Sequence, residues 1–164
     1  MAHLIDANCF IQAKNSYYGF DFCPGYWQWI DDQNQLGVVF SLDKIADELT
    51  GMQDELSHWA KQKSSSFFLP IDAPTLLSYQ QIVTWANGAS FTPQAIPEFL
   101  RGADPFLVAY ALAHGHTVVS HERLLNPNQR NKIKIPAVCQ QFGVPYITVF
   151  DLIKSTGAKF ELRE

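Results

Sequence analysis

The chain has 164 residues, 47% of them apolar, and a formal net charge of −4, which is enough for one domain (1–164) with a sizeable core. The acidic balance argues against non-specific coating of DNA. It leaves room for a nuclease whose acidic site draws divalent cations that bridge to phosphate. No apolar run reaches the length of a membrane span and no signal-peptide pattern precedes the first strand, so a cytoplasmic protein without a membrane partner is expected. Cys9, Cys23 and Cys139 are odd in number and widely spaced. They are expected to be reduced thiols, not a disulfide framework or a zinc ribbon.

Leu4-Ile5-Asp6-Ala7-Asn8 predicts a buried strand that delivers a carboxylate at its C-terminal end, with a helix starting directly after. In open α/β sheets, reacting groups gather beyond the carboxyl ends of the strands. The helix runs to Gly19, and an aromatic stretch from Phe20 to Trp27 follows. Pro24 suits the first turn of a helix reaching about Asp32, with Tyr26, Trp29 and Ile30 on one face. These rings are read as core filling, with room for one exposed ring, in preference to a stacking platform.

Gly37 to Ser41 predicts a second strand, and Ser41 suits the N-cap of the next helix. Leu42, Ile45, Ala46 and Leu49 form that helix's apolar stripe, and Gly51 ends it. Glu48 falls at the margin of the stripe, whereas Asp47 projects toward the opposite side. On this helix alone, both acids would read as solvated surface. Another amphipathic helix starts at Asp54-Glu55, with Leu56, Trp59 and Ala60 inward. Phe67 to Leu69 is an edge strand or a packed loop, and helices follow from about Thr75 to Ala86 and from about Pro93.

Asp104-Pro105 opens a helix that is apolar almost all round, as expected of one buried against the sheet. Asp at the N-cap with Pro at N1 is an ordinary helix start, but here it places a carboxylate at the mouth of the most buried helix. Thr117 to Ser120 predicts a central parallel strand, with His121, Glu122 and Arg123 at its C-terminal end. Arg123, Arg130, Lys132 and Lys134 are the concentrated cations, suited to holding a phosphate backbone. His114 and His116 sit where a helix dipole favours a cation, and a metal-binding pair is the lesser reading. A helix from Pro136 to about Phe142 and a strand from Tyr146 to Phe150 complete the pattern. Asp151 caps a terminal helix and is a rival acid on the same edge.

Asp6, Glu48, Asp104 and Glu122 are therefore the candidate catalytic and metal-binding residues. Mg²⁺ and Mn²⁺ prefer oxygen ligands and keep several waters, so a few carboxylates suffice to hold them. Gathered without a cation, four carboxylates would repel one another and at least one would hold its proton more tightly. A divalent ion relieves that repulsion and supports phosphodiester hydrolysis. Asn8 and Ser120 suit the orienting of a carboxylate or a water, with an N-cap role equally open to Asn8. No Gly-rich phosphate loop or Gly-x-Ser-x-Gly elbow occurs, which disfavours kinases, ATPases and serine hydrolases.

Laid out in this order, the residues resemble the PIN-domain family of metal-dependent ribonucleases over nearly the whole chain. Asp6-Ala7-Asn8 resembles the family's opening Asp-x-Asn element, Glu48-Leu49 its second acid, and Asp104 before an apolar helix its third. Ser120-His121-Glu122 resembles the late Thr/Ser-x-Asp element, with Glu in place of the usual Asp. The aromatic stretch Phe22 to Trp29 and the segment Glu55 to Trp59 resemble a less-studied prokaryotic subfamily related to the VapC-like toxins. The resemblance implies a three-layer α/β/α sandwich around a parallel sheet and Mg²⁺- or Mn²⁺-dependent cleavage of RNA. It also implies a homodimer and an antitoxin segment that covers the acidic site. A catalytically silent binding module and a structure-specific DNase are the alternatives.

Overall fold

A computed structural model describes residues 1–163. Five short parallel strands form one sheet in the order β3-β2-β1-β4-β5. They are β1 (His3–Ile5), β2 (Val39–Leu42), β3 (Phe68–Leu69), β4 (Thr117–Val119) and β5 (Tyr146–Ile147). The helices are α1 (Ala7–Gln12), continued by a π-helical turn (Ala13–Tyr17), α2 (Pro24–Gln35), α3 (Asp43–Thr50) and α4 (Glu55–Lys61). They continue with α5 (Ala73–Gly88), α6 (Ala95–Arg101), α7 (Asp104–His114), α8 (Ile135–Phe142) and α9 (Val149–Thr156). Helices flank the sheet, which is the expected α/β/α sandwich. Leu4 pairs with Phe40 on one side and Val118 on the other. Because both sheet faces are covered, the central strands read as continuous apolar runs, and Leu4, Ile5, Val118 and Val119 are fully buried.

The strand order decides where a site can form. The chain builds outward from β1 to β3, crosses back, and builds outward again from β4 to β5. The direction reverses between β1 and β4, and ligands bind open parallel sheets in the crevice at such a reversal. Asp6 leaves β1 and Ser120 leaves β4 at that crevice.

Several local expectations change. Ser41 does not cap α3. It lies inside β2, fully buried, and its hydroxyl donates to the Ile5 carbonyl at 2.7 Å. The last strand stops at Ile147, because Thr148 and Asp151 form a reciprocal capping box that starts α9. Asp151 is thus the third helical residue, closing that box, and not the cap. The N-cap of α7 is Ala103, and Asp104 is already helical. The aromatic stretch does pack as core. Tyr26, Trp27 and Trp29 are buried, Tyr18 stacks on Tyr26 at 4.3 Å, and Phe22 is the exposed ring. All three cysteines are free thiols. Among the described residues no helix is long and apolar enough to cross a membrane.

Candidate active site

Asp6 extends the β1 ladder by one residue, its N–H donating to the Val119 carbonyl at 3.1 Å. It is also the N-cap of α1: the Cys9 N–H donates to Oδ1 at 2.8 Å, and the Ser120 hydroxyl donates to Oδ2 at 2.8 Å. Both oxygens are fixed and the residue is only 1% exposed. Burial pushes its carboxyl above the ordinary range, and the bonds from Cys9 and Ser120 oppose that rise. The Ser120 hydroxyl also accepts the Glu122 N–H at 3.1 Å, so one serine ties the ends of β1 and β4 together.

Glu48 and Glu122 are placed by the same device. Glu48 Oε1 accepts the Ala103 N–H at 2.9 Å, serving the start of α7, where Ala103 has no capping side chain. Glu122 Oε2 accepts the Ile135 N–H at 2.8 Å, serving the start of α8. The N-termini of α1, α7 and α8 therefore converge on the acids, and their positive dipole ends offset part of the mutual repulsion. Among the described residues Asp104 has no such tether. Its carboxyl is pushed up to about 7, first by burial and then by the negative charges of Glu122, Asp6 and Glu48, with Lys132 opposing.

Above Asp6 lies a cavity of about 220 Å³ lined by Asn8, Glu48, Glu98, Asp104, Glu122 and Lys132, among others. Asp6 itself is buried and does not line the cavity, whose wall begins at its neighbour Ala7. Asn8 stands exposed on the wall inside α1, and no hydrogen bond joins it to a carboxylate among the described residues. Glu98, on α6, is an acid the sequence reading passed over. Its signal was its spacing: Ala95 and Phe99 are the buried face of α6, and Glu98 falls beside that face at i+3 from Ala95.

The four cations separate. Lys132 lines the acidic cavity, whereas Arg130 lies over the Phe91 ring, 5.3 Å from its centroid, in a neighbouring cavity that Lys132 also lines. Lys134 Nζ donates to the Arg123 carbonyl at 3.2 Å, and the Arg123 side chain is exposed. Asp151 is spent on its capping box, and His114 pairs with Asp72 at 2.7 Å.

Among the described residues, no three His, Cys, Asp or Glu side chains stand as a ready-made metal cage. The capping bonds account for this, since each draws one carboxylate toward a helix end. The donor chemistry nonetheless fits a hard cation: the ligating atoms on offer are carboxylate oxygens, and Mg²⁺ takes one or two carboxylates and keeps its remaining waters.

The chain matches the family described as "Domain of unknown function (DUF4411)" over residues 3–160. It belongs to that family. No curated protein matches this DUF4411 chain. Among solved structures it is similar to VapBC2 from Rickettsia felis, in a crystal structure bound to a DNA fragment from their promoter. That match has 12% identity and a TM-score of 0.53, covering 90% of this chain and 98% of the other. It is also similar to FitAcB from Neisseria gonorrhoeae, with 18% identity and a TM-score of 0.54, covering 88% and 96%. At these identities the likeness is one of fold: the DUF4411 chain has the PIN-like α/β sandwich with its five-stranded parallel sheet.

Proposed function

We propose that this chain is a Mg²⁺- or Mn²⁺-dependent endoribonuclease that works through Asp6, Glu48, Asp104 and Glu122. One observation carries the reading: the half-buried carboxyl of Asp104 lines one cavity with Glu48 and Glu122, where burial first and then the charges of Glu122, Asp6 and Glu48 push it up. Helix capping accounts for Asp6, Glu48 and Glu122. The dipoles of α7 and α6 favour Asp104 and Glu98 as first-turn acids, but give no reason for both to border one cavity with Glu48 and Glu122. A cluster in which burial first, and neighbouring charge second, hold one carboxyl up to about 7 is costly to ionise, and a divalent cation is the ordinary relief.

In this reading Asp6, locked by Ser120 and the Cys9 N–H, is the rigid member of the set. Glu48 and Glu122 each commit one oxygen to a backbone N–H and bring the other to the ion. When bound, the ion supplies positive charge for the phosphoryl oxygens and acidifies water. Lys132 holds an adjoining phosphate, and the converging helix N-termini favour the same anion. Control by an antitoxin segment over the acidic cavity, and a homodimer, follow from the PIN resemblance. The exposed Leu76 and Leu77 of α5 are the natural place to look for self-association.

That no three His, Cys, Asp or Glu side chains form a preformed cage among the described residues favours a second reading, a catalytically silent binding module. Cleavage of single-stranded RNA and of flap DNA with Mn²⁺, by wild type and Asp6→Asn, decides between them. Asn caps helices as well as Asp does, so the variant should fold. The expected result is RNA cleavage by wild type alone, abolished by EDTA. Equal turnover by the variant in a contaminant-free preparation rejects the assignment, and preferential cutting of flap DNA makes the chain a DNase.

A further inference from the structure

The second cavity, of about 500 Å³, lies on the far side of Lys132 from the acids. Its walls come from the end of α5 with the loop after it, and from the basic loop with α8. The Trp85 and Phe91 rings meet edge to face at 5.3 Å, and the Arg130 guanidinium lies over Phe91. Two loop carbonyls, of Gln129 at 3.1 Å and Pro127 at 3.4 Å, accept from Arg130 Nη1. The Thr92 N–H donates to the Arg130 carbonyl at 2.9 Å, tying the two walls to each other. Ser90, also on the wall, has φ 61°, the left-handed backbone that turns the chain so that Phe91 follows directly after α5. Gln140 and Gln141 line the same space, and a side-chain amide offers both a donor and an acceptor.

We propose that this cavity receives an unpaired nucleobase of the RNA strand whose phosphodiester lies at the acidic cavity, an inference that rests on the nuclease reading. Unstacked RNA bases are held on aromatic rings and guanidinium planes and hydrogen-bonded along their edges. Rings, a pinned guanidinium and amide groups are the chemistry assembled here. Continuity supplies the rest: Lys132 lines both cavities, so a phosphate on Lys132 joins a base on one side to the reacting phosphate on the other. The role of Arg130 changes accordingly, from a backbone contact to a stacking plane.

The test uses the non-cleaving Asp6→Asn protein in EDTA, with single-stranded oligoribonucleotides and abasic ribose-phosphate chains of equal length as probes. Trp27, Trp29 and Trp59 are buried while Trp85 is half-exposed, so quenching of tryptophan fluorescence reports a base stacked at Trp85. The expected result is quenching and about tenfold tighter binding by base-bearing chains than by abasic ones. Arg130→Lys keeps the charge but removes the plane, and should erase that preference while leaving the salt dependence unchanged. Trp85→Phe should retain the preference, without the quenching, and Trp85→Ala should lose it. Equal affinity for abasic and base-bearing chains, or an undiminished preference in Arg130→Lys, overturns the proposal. The nuclease reading fails separately: base-selective binding by a wild-type protein that cleaves nothing with any divalent ion supports this cavity and rejects that activity. Cleavage without base selectivity does the reverse.

Discussion

Replacing Asp104 with Asn should stabilise the metal-free protein at neutral and alkaline pH. In the folded chain the Asp104 carboxyl is raised from 3.8 to about 7, so the native state holds this proton more tightly than the unfolded chain does. Its contribution is therefore fully present below about pH 4 and is lost as the pH rises through about 7. At about 1.36 kcal/mol per pH unit, the loss has an upper limit of about 4 kcal/mol. Water in the open cavity screens part of this, and the variant forfeits about 0.3–1 kcal/mol of favourable charge at the start of α7. A net gain of about 2 kcal/mol remains for Asp104→Asn at about pH 8, or roughly 4–8 °C in Tm for a chain of this size. Urea or thermal unfolding in EDTA at about pH 4 and about pH 8 measures it. The two proteins should differ little at the acid end and diverge at the alkaline end. An Asn variant no more stable than wild type at about pH 8 would refute the claim that burial and the neighbouring acids make the charged form of this residue costly.

Ser120→Ala removes the hydroxyl that donates to Asp6 and accepts from Glu122. It should cost about 1–3 kcal/mol in urea unfolding and weaken divalent binding without changing the fold. Glu48→Gln keeps an acceptor for the Ala103 N–H and should leave stability nearly unchanged, whereas Glu48→Ala should cost about 1 kcal/mol. Both should lose Mn²⁺-dependent thermal stabilisation. Asp151→Ala breaks the capping box of α9 and should lower thermal stability slightly, with Mn²⁺ stabilisation intact. Loss of the Mn²⁺ response in that variant would return Asp151 to the site.

The strands and the buried α7 were legible because their signals are local: apolar runs, and Pro105 in the first turn of a helix apolar almost all round. Placing Glu48 in preference to Asp47 needed only the helical period, and Glu48 does line the cavity while Asp47 does not. What escaped depends on contacts between distant segments. No spacing reveals that Glu48 holds the Ala103 N–H across 55 residues, or that Ser41 turns inward to the Ile5 carbonyl. Thr148 sits in the run Tyr146 to Phe150, whose β-branched and aromatic residues suit a strand, and the capping box with Asp151 overrides that preference. Arg130 lines only the second cavity, whereas Lys132, two residues on, lines both, since a loop has no period from which to read direction.

Titration of the metal-free chain with Mn²⁺, followed by the loss of the free-ion EPR signal, tests the shared carboxylate site most directly. Wild type should take up the ion saturably, with proton release near pH 7 as Asp104 ionises, and Asp6→Asn and Asp104→Asn should each bind at least tenfold more weakly. Wild type that leaves Mn²⁺ free in solution, or both variants binding as wild type does, would contradict it.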